Sequence, residues 1–411
     1  MSKLEELIKE YCPDGVEYKT LGEVCSISKG VQFNKADMQE AGSYPVINGG
    51  VGPSGYIEQY NQERDTITVS QGGASAGYVN WIETRFWAGA HCYVLTPKEV
   101  VLNRYLYHFV SSQQKSLQNS QYGAGIPSLA KATLLSLKIP VPPLPIQREI
   151  VRILDNFTQL TAELNKQLTA RKKQYSFYRD QLLTFAADPA KGNDAHISRI
   201  DKMVHELCPD GVEYKALGEV SMIQRGASPR PIKNFVTDDS NGVNWIKIGD
   251  VKPGEKYIRE TAEKITQEGS KKSRAVKRGD FILSNSMSFG RPYILDIDGC
   301  IHDGWLSISD FEEECLTDYL YYVLNSTAVQ NEMKKKASFG GAVQNLNADI
   351  VKSLTIPLPP LEIQQKIVSI LDRFDALCND LSCGLPAEIE ARQKQYEYYR
   401  DKLLSFEIKE R

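Results

Sequence analysis

The stretch Ile139-Pro140-Val141-Pro142-Pro143-Leu144, running into Ile146-Gln147, Ile150-Val151, Ile153-Leu154-Asp155 and Phe157, occurs a second time in the chain. Its partner is Ile356-Pro357-Leu358-Pro359-Pro360-Leu361, followed by Ile363-Gln364, Ile367-Val368, Ile370-Leu371-Asp372 and Phe374. A proline run cannot form helix interior, because proline lacks a backbone donor and its ring clashes with the preceding turn. It therefore delivers the chain into a helix that starts near Ile146. Apolar residues then fall at steps of three and four: Ile146, Ile150, Leu154, Phe157, Leu160, Leu164, Leu168, Tyr175, Tyr178 and Leu182. That spacing makes one continuous stripe, and no glycine or proline interrupts it before Pro189. A helix of about 40 residues is ~60 Å long, more than one compact domain covers, so it reads as a spacer or coiled-coil arm. The second copy meets Cys383-Gly384-Leu385-Pro386, which should break or kink it, and resumes at Ile389, Tyr396, Tyr399 and Leu403. The two arms are expected to pack antiparallel through their stripes; a homodimer interface is the alternative.

The duplication reaches both ends of each half. Cys12-Pro13-Asp14-Gly15-Val16-Glu17-Tyr18-Lys19 recurs as Cys208-Pro209-Asp210-Gly211-Val212-Glu213-Tyr214-Lys215, and Leu21-Gly22-Glu23-Val24 as Leu217-Gly218-Glu219-Val220, at an offset of 196. The proline-rich pair has an offset of 217. The closing pair, Gln174-Tyr175 with Tyr178-Arg179-Asp180 and Gln395-Tyr396 with Tyr399-Arg400-Asp401, has an offset of 221. Between the first two pairs the similarity is faint, apart from Leu102 and Tyr105-Leu106-Tyr107 against Leu316 and Tyr319-Leu320-Tyr321. Each half is thus a constant frame around a divergent module. A repeat kept for stability alone has no reason to diverge in one block; two modules reading two different things do.

The modules carry short alternating runs, such as Thr66-Ile67-Thr68-Val69 and Phe281-Ile282-Leu283, punctuated by Gly, Asn and Ser. Those signals predict strands and loops, with a helix from Leu102 to about Gln114, so each module reads as α+β. Residues 186–200, with Pro189, Gly192, Asn193 and Asp194, read as a linker.

Composition narrows the function. The 411 residues are 41% hydrophobic and 25% charged, with a net charge of −3. That argues against a strongly basic free-standing DNA binder but leaves room for a local positive patch. The polar start Met1-Ser2-Lys3-Leu4-Glu5-Glu6 lacks a secretion-signal layout, and no apolar run reaches the ~20 residues of a membrane helix. A cytoplasmic protein with reduced thiols follows. None of the eight cysteines forms a Cys-x-x-Cys pair, and His91-Cys92 and Cys378/Cys383 lack zinc-ligand spacing, so no metal site is expected. No phosphate-binding Gly-x-x-x-x-Gly-Lys-Ser/Thr loop occurs. Nor is there an Asn/Asp-Pro-Pro followed by an aromatic, the adenine-methylating pattern. Asp14, Glu17 and Lys19 spell a nuclease-like set, but metal-dependent cleavage needs carboxylates that converge from separate strands. Asp14-Gly15 instead marks a tight turn, which puts them on a hairpin tip. No catalytic residue is assigned.

The doubled Pro-Leu-x-Ile-Gln-x-x-Ile-Val-x-Ile-Leu-Asp, the repeated Leu-Gly-Glu-Val and the closing Gln-Tyr-x-x-Tyr-Arg-Asp-x-Leu-Leu resemble the conserved regions of the specificity (S) subunits of type I restriction-modification systems, over the whole chain. The resemblance implies an α+β fold with two pseudo-symmetric target recognition domains separated by long antiparallel, coiled-coil-like helices. It implies an N-terminal conserved segment over 1–20, target recognition domain 1 over 21–145 and a central conserved helix over 146–186. A linker and second opening segment would fill 187–216, target recognition domain 2 would span 217–362, and C-terminal conserved helices 363–411. It further implies a non-catalytic subunit that reads a bipartite, asymmetric double-stranded DNA site. Two methylation (M) subunits and the restriction/translocation (R) subunits would join it, and S-adenosylmethionine, ATP and Mg²⁺ would serve those partners. The alternatives are a coiled-coil adaptor without DNA binding and a metal-dependent nuclease.

DNA-reading candidates are small, polar and cationic loop residues, since glycines admit phosphate backbone and Gln or Asn can pair two atoms of adenine. In the first module these are Asn48, Arg64, Ser70, Gln71, Gly72, Gly73, Ser75 and Arg85; in the second, Arg225, Ser228, Arg230, Lys233, Ser284, Asn285, Ser286, Ser288 and Arg291. Lys271, Lys272, Arg274, Lys334, Lys335 and Lys336 are candidates for phosphate contacts. The candidate partner-binding helices present Ile146, Ile150, Leu154, Phe157, Tyr175, Tyr178, Ile363, Ile367, Leu371, Phe374, Tyr396 and Tyr399. His91 and His302 read as structural histidines.

Overall fold

A computed structural model describes residues 3–123, 125–185, 195–251, 254–285, 289–337, 346–380 and 383–409. The chain forms two units: Met1–Asn165 with Ile389–Arg411, and Lys166–Glu388. They are not the two sequence halves. The 39-residue helix Leu144–Leu182 contributes to both, and the C-terminal residues belong to unit 1.

In unit 1 the opening repeat forms the strand Tyr18–Thr20, antiparallel to Lys138–Pro140 with Lys19 opposite Ile139. Unit 2 repeats the pairing, Tyr214–Ala216 against Thr355–Pro357 with Lys215 opposite Ile356. This ladder joins the start of each frame to its proline run and sets where the next helix begins. The Leu-Gly-Glu-Val motif forms a one-turn helix in each unit. Leu21, Val24, Leu217 and Val220 are buried, and the Glu23 carboxylate accepts the Thr20 amide and hydroxyl, both at 2.6 Å. A Cβ on Gly22 would stand 3.0 Å from Leu135, and one on Gly218 2.8 Å from Lys352, so both motif glycines sit at close approaches.

The motif glutamine has a definite task. Gln147 is fully buried at the start of the long helix. Its Oε1 accepts the Leu102 amide at 2.8 Å, and its Nε2 donates to the Val100 and Pro142 carbonyls at 3.0 and 2.7 Å. Gln364 repeats this with the Leu316 amide and the Glu314 and Pro359 carbonyls, at 2.8–2.9 Å. One side chain thereby satisfies three backbone groups, among them the buried carbonyl of the proline run.

The modules are built on the same plan. Unit 1 has a four-stranded antiparallel sheet in the order Cys25–Lys29, Cys92–Pro97, Thr66–Ser70, Val79–Ile82, and a three-stranded one, Tyr56–Ile57, Tyr44–Ile47, Trp87–Ala88. Unit 2 matches the first with Met222–Arg225, Trp305–Ser309, Phe281–Ser284, Pro292–Leu295 and an added edge strand, Tyr257–Ile258. Its second sheet has five strands, Val236–Thr237, Glu263–Ile265, Val243–Ile246, Gly299–Ile301 and Arg274–Val276. The larger offset after this module goes into those extra strands. The predicted helix near Leu102 is Asn103–Ser112, followed by a second, Gln114–Asn119.

Each unit's core joins one face of its main sheet to its module helix and its frame helix. Unit 1 buries Ile67, Val69, Leu95, Leu106, Ile146, Ile150 and Leu154; unit 2 buries Phe281, Leu283, Leu320, Val323, Ile363, Ile367 and Leu371. Helices pack antiparallel within each unit. In unit 1 Phe157 stacks on Tyr399, ring centroids 5.4 Å apart, while Thr161 and Asn165 share a groove with Gln393 and Tyr396. In unit 2 Tyr178 meets Phe374 at 5.5 Å, and Arg171 and Lys172 lie near Cys378.

Four expectations need correction. Ile146, Ile150, Leu154, Ile363, Ile367 and Leu371 are fully buried in this chain's own cores, so an apolar stripe that packs inward offers a partner nothing; Tyr396 is buried too, whereas Tyr399 is 39% exposed. Phe157, Tyr175, Tyr178 and Phe374 are half-buried. Leu160 is 40% exposed while Leu164 beyond it is buried, because at 3.6 residues per turn Leu160 lies about 80° round from the face that carries Ile150, Leu154 and Leu164. The linker reading of 186–200 gives way in part to the helix Ala195–Leu207, while 186–194 lie outside the described residues. Asp14 and Gly15 do not tip a hairpin. They turn the chain from the helix Lys3–Tyr11 into the first strand, with the Gly15 amide donating to Cys12 O at 3.2 Å and Gly15 at φ +91°. The break near Gly384 stands where expected, between the helices Leu361–Asn379 and Leu385–Leu403.

Candidate nucleic-acid interface

The main sheet of each unit ends in a lip where a basic residue precedes a glycine. In unit 1 the strand Cys25–Lys29 ends at Lys29-Gly30; in unit 2 Met222–Arg225 ends at Arg225-Gly226. A Cβ on Gly30 would lie 2.2 Å from Gly89 O, and one on Gly226 2.0 Å from His302 O. Only glycine lets the strand end pass this close to the neighbouring backbone. The Gly30 amide donates to Cys92 O and the Gly226 amide to Trp305 O, each at 2.9 Å, which aims the exposed basic residue before it. Sequence reasoning missed Lys29. The signal was present, since Lys29-Gly30 and Arg225-Gly226 keep the offset of 196 into the divergent block.

Around the unit 1 lip the structure gathers Asn48, Gly49, Ser70, Gln71 and His91. Asn48 Oδ1 accepts the His91 amide at 3.3 Å, and the Gln71 amide donates to His91 O at 2.9 Å. Ser70 is buried and its hydroxyl donates to Gly49 O, so it braces the loop and does not reach bases. The Gly73 amide donates to Pro127 O at 2.9 Å, and Gly72 bridges Ser128. Ser75 closes the following turn by accepting the Tyr78 amide. Arg64 and Arg85 are engaged elsewhere, on Asp65 at 2.8 Å and Glu63 at 2.9 Å, and Arg85 also lies over the Tyr60 ring.

In unit 2 four candidates converge on Asp303. Ser228 Oγ donates to Asp303 Oδ1 at 2.7 Å, and Arg230 Nη2 reaches Oδ2 at 3.4 Å. Arg225 Nε and Asn285 Nδ2 donate to the Asp303 carbonyl at 3.3 and 3.0 Å, and Arg274 Nε donates to Arg225 O at 3.3 Å. The Ser228 hydroxyl, above all, holds the Asp303 carboxyl below the usual range. Asp303 thus holds two arginines, Arg225 through its carbonyl and Arg230 through its carboxylate, a role no sequence signal announced. His302 sits between Trp245 and Trp305, and its Nδ1 accepts the Gly304 amide at 2.6 Å. Burial lowers its pKa, as befits a structural histidine.

Ser284 and Asn285 are buried, which withdraws them from base contact; Ser286 and Ser288 lie outside the described residues. Arg291 is half-buried over the Tyr293 ring. Lys233, Lys271 and Lys272 are exposed, with Lys272 tied to Glu268 at 3.1 Å. Lys334 and Lys335 are exposed on the helix Thr327–Ala337. Lys336 is committed to Glu332 at 2.7 Å and to the Ser353 carbonyl at 2.8 Å, so it is a poor phosphate ligand.

The nuclease-like set does not assemble. Lys19, on the half-buried strand Tyr18–Thr20, pairs with Glu17 at 3.3 Å, and the described residues contain no group of three His, Cys, Asp or Glu able to hold a metal. Nor is any described helix long and apolar enough to cross a membrane.

The model of the type I restriction modification DNA specificity domain matches residues 13–171 and again 209–391. The chain is 32% identical to a putative type I restriction enzyme specificity subunit of Haemophilus influenzae, over 95% of this chain and 96% of that one. It is 30% identical to the specificity subunit of the Escherichia coli type I restriction enzyme EcoR124I/EcoR124II, over 99% and 97%. Among solved structures it is similar in fold to the S subunit of a type I restriction-modification system from M. genitalium, with a TM-score of 0.57 and 19% identity over 95% and 96% of the two chains. A chain from a study of complex assembly in the type I restriction-modification system gives 0.60 and 18% over 95% and 98%.

Proposed function

Because this chain belongs to the specificity subunits of type I restriction-modification systems, which are non-catalytic, we propose that its two modules each read one part of a bipartite, asymmetric DNA site. The observation that carries this reading is the pair of matched lips. Two modules share a sheet plan and a glycine-braced basic residue, Lys29 or Arg225, yet gather different polar residues around it. A cation held at the same place in two otherwise divergent modules suits the part of DNA that is the same everywhere, the phosphate backbone. The loops that differ, Asn48 and Gln71 in one and Ser228 and Arg230 in the other, suit the part that varies.

On this reading two methylation subunits and the restriction/translocation subunits assemble on the frame. S-adenosylmethionine, ATP and Mg²⁺ serve those partners, in the cytoplasm beside genomic DNA. The helix Leu144–Leu182 sets the length of the unread spacer. Methylation mapping in a host expressing this chain with its methylating partner tests the reading. Exchanging residues 21–139 for another module should change one half-site and leave the other; a change in both would refute two independent readers.

A further inference from the structure

The doubled motif ends in an aspartate, Asp155 and Asp372, and reading DNA requires neither. In unit 1 Asp155 Oδ1 accepts Arg104 Nε at 2.7 Å and His108 Nε2 at 2.8 Å. The Arg104 guanidinium lies between the Trp81 and Tyr107 rings, 4.6 and 4.8 Å from their centroids. In unit 2 Asp372 accepts the Tyr322 hydroxyl and stands 3.8 Å from Lys256 Nζ, which also pairs with Asp318 at 2.6 Å. Lys256 lies over Tyr321 and Tyr322, at 4.8 and 5.0 Å, and its side chain is 14% exposed.

The two arrangements share an anchor but not a pin. The carboxylate occupies the same place on the frame helix in both units. The cation comes from the helix Asn103–Ser112 in one and from the residue before the edge strand Tyr257–Ile258 in the other. A largely buried cation is a poor way to add stability, because its desolvation offsets most of the Coulomb gain; what it supplies is one permitted geometry. Apolar packing is non-directional, and the Gln147 and Gln364 bonds fix only the start of each frame helix; a caged cation on a carboxylate about two turns further on fixes the module there as well.

We propose that Asp155 and Asp372 are positioning residues, each pinning a reader module to the frame helix through an aromatic-caged cation so that the two half-sites are read at one spacing. This rests on the two-reader function proposed above. The test uses Asp372→Asn, Lys256→Met and Tyr322→Phe in the full chain assembled with its methylating partner, with methylated sites mapped across the host genome and thermal stability measured alongside. The half-site sequences should stay as they are. Methylation at sites whose spacer is one base pair longer or shorter should rise about fivefold for Asp372→Asn and Lys256→Met, the upper end for an ion pair whose carboxylate is half exposed. Tyr322→Phe, which keeps both charges and the fold, should move the same way by less. Unaltered spacer tolerance in all three variants overturns the clamp, whatever their stability, and so does a changed half-site sequence. A wild-type map without a two-part site overturns the functional reading itself.

Discussion

Replacing Lys29 and Arg225 by alanine, singly and together, separates a phosphate grip from base reading. Both residues are exposed at strand ends fixed by a glycine. Among the described residues neither terminal nitrogen of Arg225 has a hydrogen-bond partner; only its Nε is engaged, on the Asp303 carbonyl. If each residue neutralises one phosphate, each contributes ~0.9 to the slope of log affinity against log salt. Between about 50 and about 200 mM salt that slope weakens binding about 3.5-fold per contact. Each single variant should therefore lose about 3.5-fold less affinity than the unaltered chain across this window, and the double variant about 12-fold less. At about 0.15 M salt the cost of one contact is about fivefold, or ~1 kcal/mol, on every sequence alike. Fluorescence anisotropy of the assembled complex on its own site and on unrelated duplexes measures both quantities. An unchanged salt slope, or a preference shifted at one base pair by ~1–3 kcal/mol, would refute the phosphate assignment and make these residues base readers.

Three further perturbations follow from the same geometry. Gln364→Ala strips partners from the Leu316 amide and the Glu314 and Pro359 carbonyls, of which the last is buried, and should destabilise the chain by about 2 kcal/mol, visible as an earlier denaturant midpoint; a loss under about 0.5 kcal/mol would mean that water replaces the side chain. Burial holds the pKa of His108 below its ordinary value, against the pull of Asp155, so the ring is neutral near pH 7, donating to Asp155 and accepting the Tyr396 hydroxyl. The unfolded chain then binds a proton before the folded one, and stability is lost as pH falls below about 6.5 towards the folded value. His108→Gln should flatten that part of a melting-temperature profile, and an unaltered profile counts against it. Duplicating Thr161-Ala162-Glu163-Leu164 in the long helix adds ~6 Å and a little over one turn. It should lengthen the mapped spacer by one or two base pairs, at ~3.4 Å each; an unchanged spacer removes the helix from spacing.

The amino-acid sequence by itself determined the duplicated frame, the proline-started long helix, the break near Gly384 and the family. Each rests on local chemistry: proline geometry, a 3.6-residue period, and short motifs that say the same thing wherever the chain carries them. Tertiary structure alone decided which residues meet. Ile146 and Leu371 looked like a partner-facing stripe, because periodicity shows that a face is apolar but not what covers it; each unit's own sheet and module helix cover it. Ser70 and Ser284 looked like base readers because polarity is written in sequence and burial is not. The convergence of Arg225, Ser228, Arg230 and Asn285 on Asp303, and of Lys256 on Asp372, joins residues as far as 116 positions apart. No local pattern encodes such meetings, since they exist only once the strands are in register and the core has closed.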